Sequence, residues 1–276
     1  MPPDALQNSI AGVFLLGLFA LAVTAQVRVI RRIAQDGGRV RTAEFRMPDG
    51  LVAIVLATFF VGMGISAIFR HAAKGDAVTI QQVIPGSIVF VILTAGVAGF
   101  LKYRGLRLIP LLGLAHVSPL RIAGWALGLV VVAFALSGTA NALTFAALHG
   151  KAEQQPLVQL FRDVAQQHDI GAMAQILLAG VVIAPVCEEF LFRGFFYAVG
   201  KRYLGPIVSG LACALLFAAF HLSISALAGL FVLALCLTLA YERTGSLLVP
   251  IGIHALYNFT SLCLIYLQGR GILPSP

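Results

Sequence analysis

Apolar runs close to the ~20 residues that a helix needs to cross a bilayer recur along this chain from end to end. They are Ser9–Val27, Leu51–Phe69, Val83–Leu101, Ile122–Leu143, Gln175–Gly200, Ile207–His221, Ser225–Tyr241 and Leu247–Leu267. Runs of this kind leave little choice of fold. In hydrocarbon every backbone N–H and C=O must find its partner within the protein, and a segment of this length does so as a helix. The composition agrees, since 59% of the 276 residues are hydrophobic and 11% are charged, against roughly a quarter charged in a soluble domain. The expected fold is an all-α polytopic membrane bundle of about eight transmembrane helices. The first run has no basic segment before it and carries its arginines after it, so it reads as a retained anchor rather than a cleaved signal.

The net charge of +8 raises nucleic acid as a partner, but the basic residues form neither one face nor a patch interleaved with aromatics. They gather instead in alternate loops. Arg28 to Arg46, Lys102 to Arg121, Lys201, Arg202 and Arg243 fall on one side of the eight-span arrangement, against Arg70, Lys74, Lys151, Arg162 and Arg270 on the other. The positive-inside rule places the first group in the cytoplasm and both termini outside. The lipid bilayer is therefore an expected partner, and nucleic acid is not. Cys187, Cys213, Cys236 and Cys263 all lie in apolar spans without paired spacing, which suits small packing residues rather than a disulfide framework or a metal site. Lys151 to Asp169 is polar with scattered apolar positions, as expected of an external loop carrying a surface-lying amphipathic helix.

Charge inside a bilayer costs about 2.5–3.5 kcal/mol per residue on insertion scales, which makes an intramembrane ionisable group a functional candidate. Of the eleven acids, all but Glu188 and Glu189 read as tail or loop residues, Asp49 and Glu242 among them. His71, His116, His149 and His168 fall in or beside loops, while His221 and His254 fall within or at the end of spans. The interior polar set is thus Glu188, Glu189, Arg193, His221, His254 and Asn258.

Helix geometry divides this set. Glu189 and Arg193 are four apart on one face and can form a buried ion pair. Glu188 points about 100° away and is left without that partner, which suits a proton acceptor. Glu188 lies about 20 Å of helix before Lys201, and His221 about 22 Å after Pro206 on the returning helix, so the two meet at similar depth. His254 and Asn258 are four apart on the last span and complete the layer. A carboxylate and an imidazole aimed at one water can activate it for attack on a carbonyl, and a further His and Asn can stabilise the oxyanion. Phe217, one turn before His221, reads as a packing residue. Gly194, Gly205 and Gly210 read as places where helices approach closely.

At these residues the sequence resembles the CAAX protease and bacteriocin-processing family of intramembrane glutamic endopeptidases, which includes the eukaryotic Ras-converting CAAX endopeptidase. Its EExxxR motif is matched by Glu188, Glu189 and Arg193, its FxxxH motif by Phe217 and His221, and its HxxxN motif by His254 and Asn258. Three motifs in order, each in an apolar span, are far more specific than any one alone. The resemblance covers roughly Gln175 to Thr260. It implies catalytic helices over 175–267, with residues 1–174 as N-terminal helices and loops of no specific resemblance. It implies that Glu188 and His221 activate the water, that His254 and Asn258 form the oxyanion hole, that Glu189 and Arg193 support the site, and that neither cofactor nor metal is needed. The substrate implied is a membrane-associated peptide or protein, prenylated CAAX-type proteins being one class. With the charge pattern, the resemblance places the protein in a bacterial cytoplasmic membrane, its cavity towards the cytoplasm.

Three other readings use the same residues. Glu188, His221 and His254 could ligate zinc in a metallopeptidase, although no HExxH motif is present. An intramembrane Glu and His could relay protons in a coupled carrier, although the chain shows no inverted repeat. A scaffold of the same fold could lack activity altogether.

Overall fold

The computed structural model describes residues 3–74, 78–115, 118–149 and 155–273, with side chains described from residue 16 onward outside 67–74. The expectations for Asp4, Arg70, His71, Lys74, Asp76, His116, Lys151 and Glu153 therefore lie outside the residues whose side chains are described. The described chain is helical, in the order α1 Pro3–Asp36, α2 Met47–Lys74, α3 Ile80–Tyr103, the single turn α4 Leu108–Leu111, α5 Pro119–Ala147, α6 Pro156–Gln166, α7 Ile170–Leu177, α8 Ala184–Glu189, α9 Ala198–Phe220, α10 Ile224–Thr244 and α11 Leu248–Gly269. Two wider π-helical stretches, Leu178–Ile183 and Phe190–Tyr197, bracket α8 and make residues 170–220 nearly continuous.

Among the described residues six segments are long and apolar enough to cross a membrane: Met47–Ser66, Ile80–Tyr103, Pro119–Ala147, Ile170–Phe220, Ile224–Thr244 and Leu248–Gly269. The protein is thus a polytopic helical membrane bundle. The expected count of about eight counts differently, since one of these six segments holds two of the expected runs and another run lies in a helix whose side chains are described only in part. The runs Gln175–Gly200 and Ile207–His221 belong to one 51-residue segment, which at 1.5 Å per residue would stretch more than twice the ~30 Å hydrocarbon core. It doubles back at Gly205, the one non-helical residue in α9, with φ 77° and ψ 169°. The run Ser9–Val27 lies within α1, whose side chains are described from residue 16 onward.

Gly205 thereby corrects an expectation. No atom lies within 4 Å of a Cβ built there, so it serves the turn and not a close helix approach. Gly194 does sit in a tight place, with a built Cβ 3.1 Å from Leu112 Cδ2 and 3.4 Å from Leu247 Cδ2. Gly210 makes only ordinary contacts with Tyr197 and Thr238.

The two arms on either side of Gly205 run antiparallel. Tyr197 packs on Gly210, and the Cys213 thiol donates to the Phe192 carbonyl at 3.1 Å. Continued away from the turn, this pairing brings Phe217 and His221 opposite the segment that holds Pro185 to Glu189. From the other side, Phe60 of α2 packs on Phe192, Phe196 and Phe220, and Phe90 of α3 on Phe220. The outer face of the same segment exposes Leu178, Val182 and Val186 at successive four-residue steps, the stripe a lipid-facing helix presents. At the opposite end of the bundle from the Gly205 turn, α6 buries Phe161, Val164 and Ala165 in a second apolar cluster with Ile176 and Leu262, as its amphipathic pattern requires.

Two acids read as loop residues are buried. Glu242, 1% exposed in α10, accepts hydrogen bonds from the Arg39 and Val40 backbone N–H groups at 2.7 and 3.2 Å, from the Tyr197 hydroxyl at 2.6 Å and from Lys201 Nζ at 2.5 Å. It ties the segment after α1 to the Gly205 turn. Gly38, at φ 74°, is needed there, because a side chain would overlap the Glu242 carboxylate. Asp49 is fully buried, accepts from the Arg46 backbone N–H at 2.6 Å and pairs with Arg104 at 3.4 Å, joining the start of α2 to the end of α3. Both were misjudged because hydropathy locates span ends without seeing what folds back over them.

Candidate active site

The polar layer is built around the buried pair expected from the four-residue spacing. Arg193 Nη1 donates to Glu189 Oε1 at 2.8 Å, with both side chains fully buried. The guanidinium is held twice more, by a bond from Nη2 to the Ala234 carbonyl at 3.1 Å and by lying 4.5 Å above the centre of the Phe217 ring. Three kinds of contact at once match the planar fork of Arg and not a lysine.

Glu189 does more than pair with Arg193. The same Oε1 lies 2.9 Å from His254 Nδ1, so α11 is coupled to α8 through one carboxylate oxygen. With its Nδ1–H donated there, His254 presents Nε2 towards Glu188 Oε2, 3.9 Å away. Glu188 is 8% exposed, and its Oε2 is buried without a hydrogen-bond partner among the described residues. The two adjacent glutamates thus differ as their helical faces require: Glu189 is engaged through Oε1 by both Arg193 and His254, although its Oε2 is unpartnered among the described residues, whereas Glu188 faces only His254, at 3.9 Å.

His221 caps the end of α9. Its Nδ1 lies 2.8 Å from the Phe217 carbonyl, a bond that leaves Nε2 as the ring's free acceptor. The next residue, Leu222, has φ 54°, an unfavourable conformation for a branched side chain, of a kind that gathers at functional sites. Phe217 is the common neighbour of the layer, its ring centre 4.7 Å from that of His221 and 5.8 Å from that of His254. It packs, as expected, but it packs on three members of the polar set.

Asn258 is held in a way the sequence reading missed. Its Nδ2 donates to the Gly180 carbonyl at 2.8 Å. That carbonyl is available for two reasons. The Ala184 N–H is taken by Ala179 in the wider π-helical turn, and the next residue, Pro185, has no N–H to offer. Proline in the middle of an apolar run was the signal, and a π-turn before it is a frequent companion of functional sites. Replacing Asn258 by Ala should strand the Gly180 carbonyl and cost about 1–3 kcal/mol. Pro185→Ala in the same protein, which restores an N–H near that carbonyl, should recover part of the loss. Thermal unfolding of the two single variants and the double variant in detergent measures this, and additive losses would reject the account.

Among the described residues no group of three or more His, Cys, Asp or Glu side chains is arranged to hold a metal ion. The four cysteines are free, and Cys187, Cys213 and Cys236 are buried.

Residues 170–260 match the family model described as Type II CAAX prenyl endopeptidase Rce1-like. The matched stretch contains α8, α9 and the part of α11 that carries His254 and Asn258, hence the whole polar layer. The match, over about a third of the chain, supports the resemblance to CAAX-type proteases, and the candidate spans support an integral membrane protein. Neither the curated proteins nor the solved structures contain a match.

Proposed function

We propose that this protein is an intramembrane glutamic endopeptidase that hydrolyses a peptide bond of a membrane-associated substrate with a water activated by Glu188. The observation that carries this reading is the Glu188 carboxylate, buried with an open oxygen beside His254. An unsatisfied buried acceptor costs about 1–3 kcal/mol and calls for a reason. Holding a water for deprotonation supplies one.

In the reaction Glu188 takes a proton from the water as its oxygen attacks the scissile carbonyl carbon, and the C=O electron pair moves onto oxygen. His221, its Nδ1–H engaged by the Phe217 carbonyl, offers Nε2 to the water's second hydrogen and so orients it. One amide hydrogen of Asn258 is engaged by Gly180, which aims the other at the developing oxyanion. His254 donates from Nε2, a role that requires both ring nitrogens to carry protons. When the tetrahedral intermediate collapses, the C–N bond breaks and the proton held by Glu188 passes to the leaving amine. Glu189 and Arg193 position His254, and Phe217 spaces the two imidazoles. The catalytic helices are then residues 175–267, with 1–174 bracing them, in a bacterial cytoplasmic membrane with the cavity towards the cytoplasm.

The full-length protein in nanodiscs, given a panel of fluorogenic membrane-associated peptides with and without prenyl groups, should cleave at least one of them equally in the presence and absence of a zinc chelator. Loss of cleavage with the chelator would replace this reading by a metallopeptidase. Substrate-driven proton movement without cleavage would replace it by a carrier.

A further inference from the structure

Away from the polar layer, a cleft of about 620 Å³ opens between the start of α2 and the end of α3, lined by Arg41, Glu44, Arg46, Arg104, Arg107 and Leu111 among others. Its volume is in the range of small-molecule sites. Four arginines face one glutamate. Asp49, buried beneath, holds Arg104 at 3.4 Å, whereas Arg41, Arg46 and Arg107 are exposed and have no carboxylate within ion-pair distance among the described residues. Repulsion among guanidinium groups gathered in one concavity is relieved by a bound anion, and the planar guanidinium suits phosphate oxygens in particular.

The cleft's place in the membrane identifies the anion. Its walls are the ends of two candidate spans, Met47–Ser66 and Ile80–Tyr103, so it lies at the boundary between hydrocarbon and water. On the same elements stand exposed apolar side chains, Met47 and Leu51 at the start of α2, Tyr103 at the end of α3 and Ile109 in α4. Charge above and apolar surface beside it match a ligand with a phosphate head and acyl chains. We propose that this cleft is a binding site for the headgroup of an anionic phospholipid, whose phosphodiester is held by Arg41, Arg46 and Arg107 while its chains lie along Met47, Leu51 and Ile109. Basic pockets between membrane helices are suited to this recognition.

The test is native mass spectrometry of the full-length protein in detergent, with phosphatidylglycerol or phosphatidylcholine of the same acyl chains. Wild type should retain phosphatidylglycerol in preference to phosphatidylcholine. The variant with Arg41→Gln, Arg46→Gln and Arg107→Gln should lose about tenfold or more of that retention. Glu44→Gln, which removes the one negative lining charge, should raise it, an outcome that misfolding cannot imitate. The charge-matched control with Arg28→Gln, Arg31→Gln and Arg32→Gln on α1, all exposed and outside the cleft, should retain the lipid as wild type does. Equal retention of the two lipids, or an equal loss in the control, would overturn the proposal. Displacement of the lipid by an equal concentration of inorganic phosphate would reassign the cleft to a free anion.

Discussion

Glu188→Gln is expected to remove nearly all peptide cleavage, about 10²–10⁴-fold, from a protein that folds and inserts as wild type does. The glutamine keeps the size of the side chain and its ability to hold a water, but it cannot take a proton near neutral pH. Its effect on stability separates it from its neighbour. Among the described residues Glu188 makes no ion pair with a permanently charged side chain, and its Oε2 is unpartnered, so a neutral amide there should leave the thermal unfolding temperature unchanged or slightly raised. Cleavage of the responsive peptide by purified wild type and variant, each checked by thermal unfolding, decides the matter. Ordinary turnover by the glutamine variant would remove Glu188 from the chemistry and the glutamic mechanism with it.

Arg193→Ala should act in the opposite order, on folding before activity. It leaves Glu189 fully buried without its charge partner and removes the group seated on Phe217 and bonded to the Ala234 carbonyl. Breaking a buried pair from one side costs about 3–5 kcal/mol, a large part of the stability of most folded proteins. The yield of folded protein and its unfolding temperature in detergent should both fall sharply. The double variant Glu189→Leu with Arg193→Met, which replaces the pair by apolar groups of similar volume, should regain much of that stability. It should not regain cleavage, because Glu189 also holds His254 Nδ1 at 2.9 Å. Normal stability of Arg193→Ala would reject the stranded-charge account, and full activity of the double variant would reject the positioning role of Glu189.

Much of this was legible in the sequence because the bilayer imposes local rules. The helical class follows from run length, and the Glu189–Arg193 pair from a four-residue spacing that any helix honours. The different faces of Glu188 and Glu189 follow from the same geometry. What escaped depends on groups distant in the chain or on backbone hydrogen bonds. Glu242 looks like a loop acid in sequence, and only the fold returns Arg39, Val40, Tyr197 and Lys201 to it. Asn258 shares a face with His254, but its partner is a carbonyl released by a π-turn and a proline some eighty residues earlier, a bond that side-chain spacing does not encode.

That the chain is a helical membrane bundle, that it turns back near Gly205, and which few polar residues its apolar spans must accommodate all follow from the order of residues, because desolvation cost, helical periodicity and turn chemistry act locally. It took the folded structure to show that one oxygen of Glu189 serves both Arg193 and His254, and that Phe217 sits among Arg193, His221 and His254. These are matters of which helices pack side by side. In a membrane that choice is made by close packing and interhelical hydrogen bonds, since lipid is as apolar as the helices themselves.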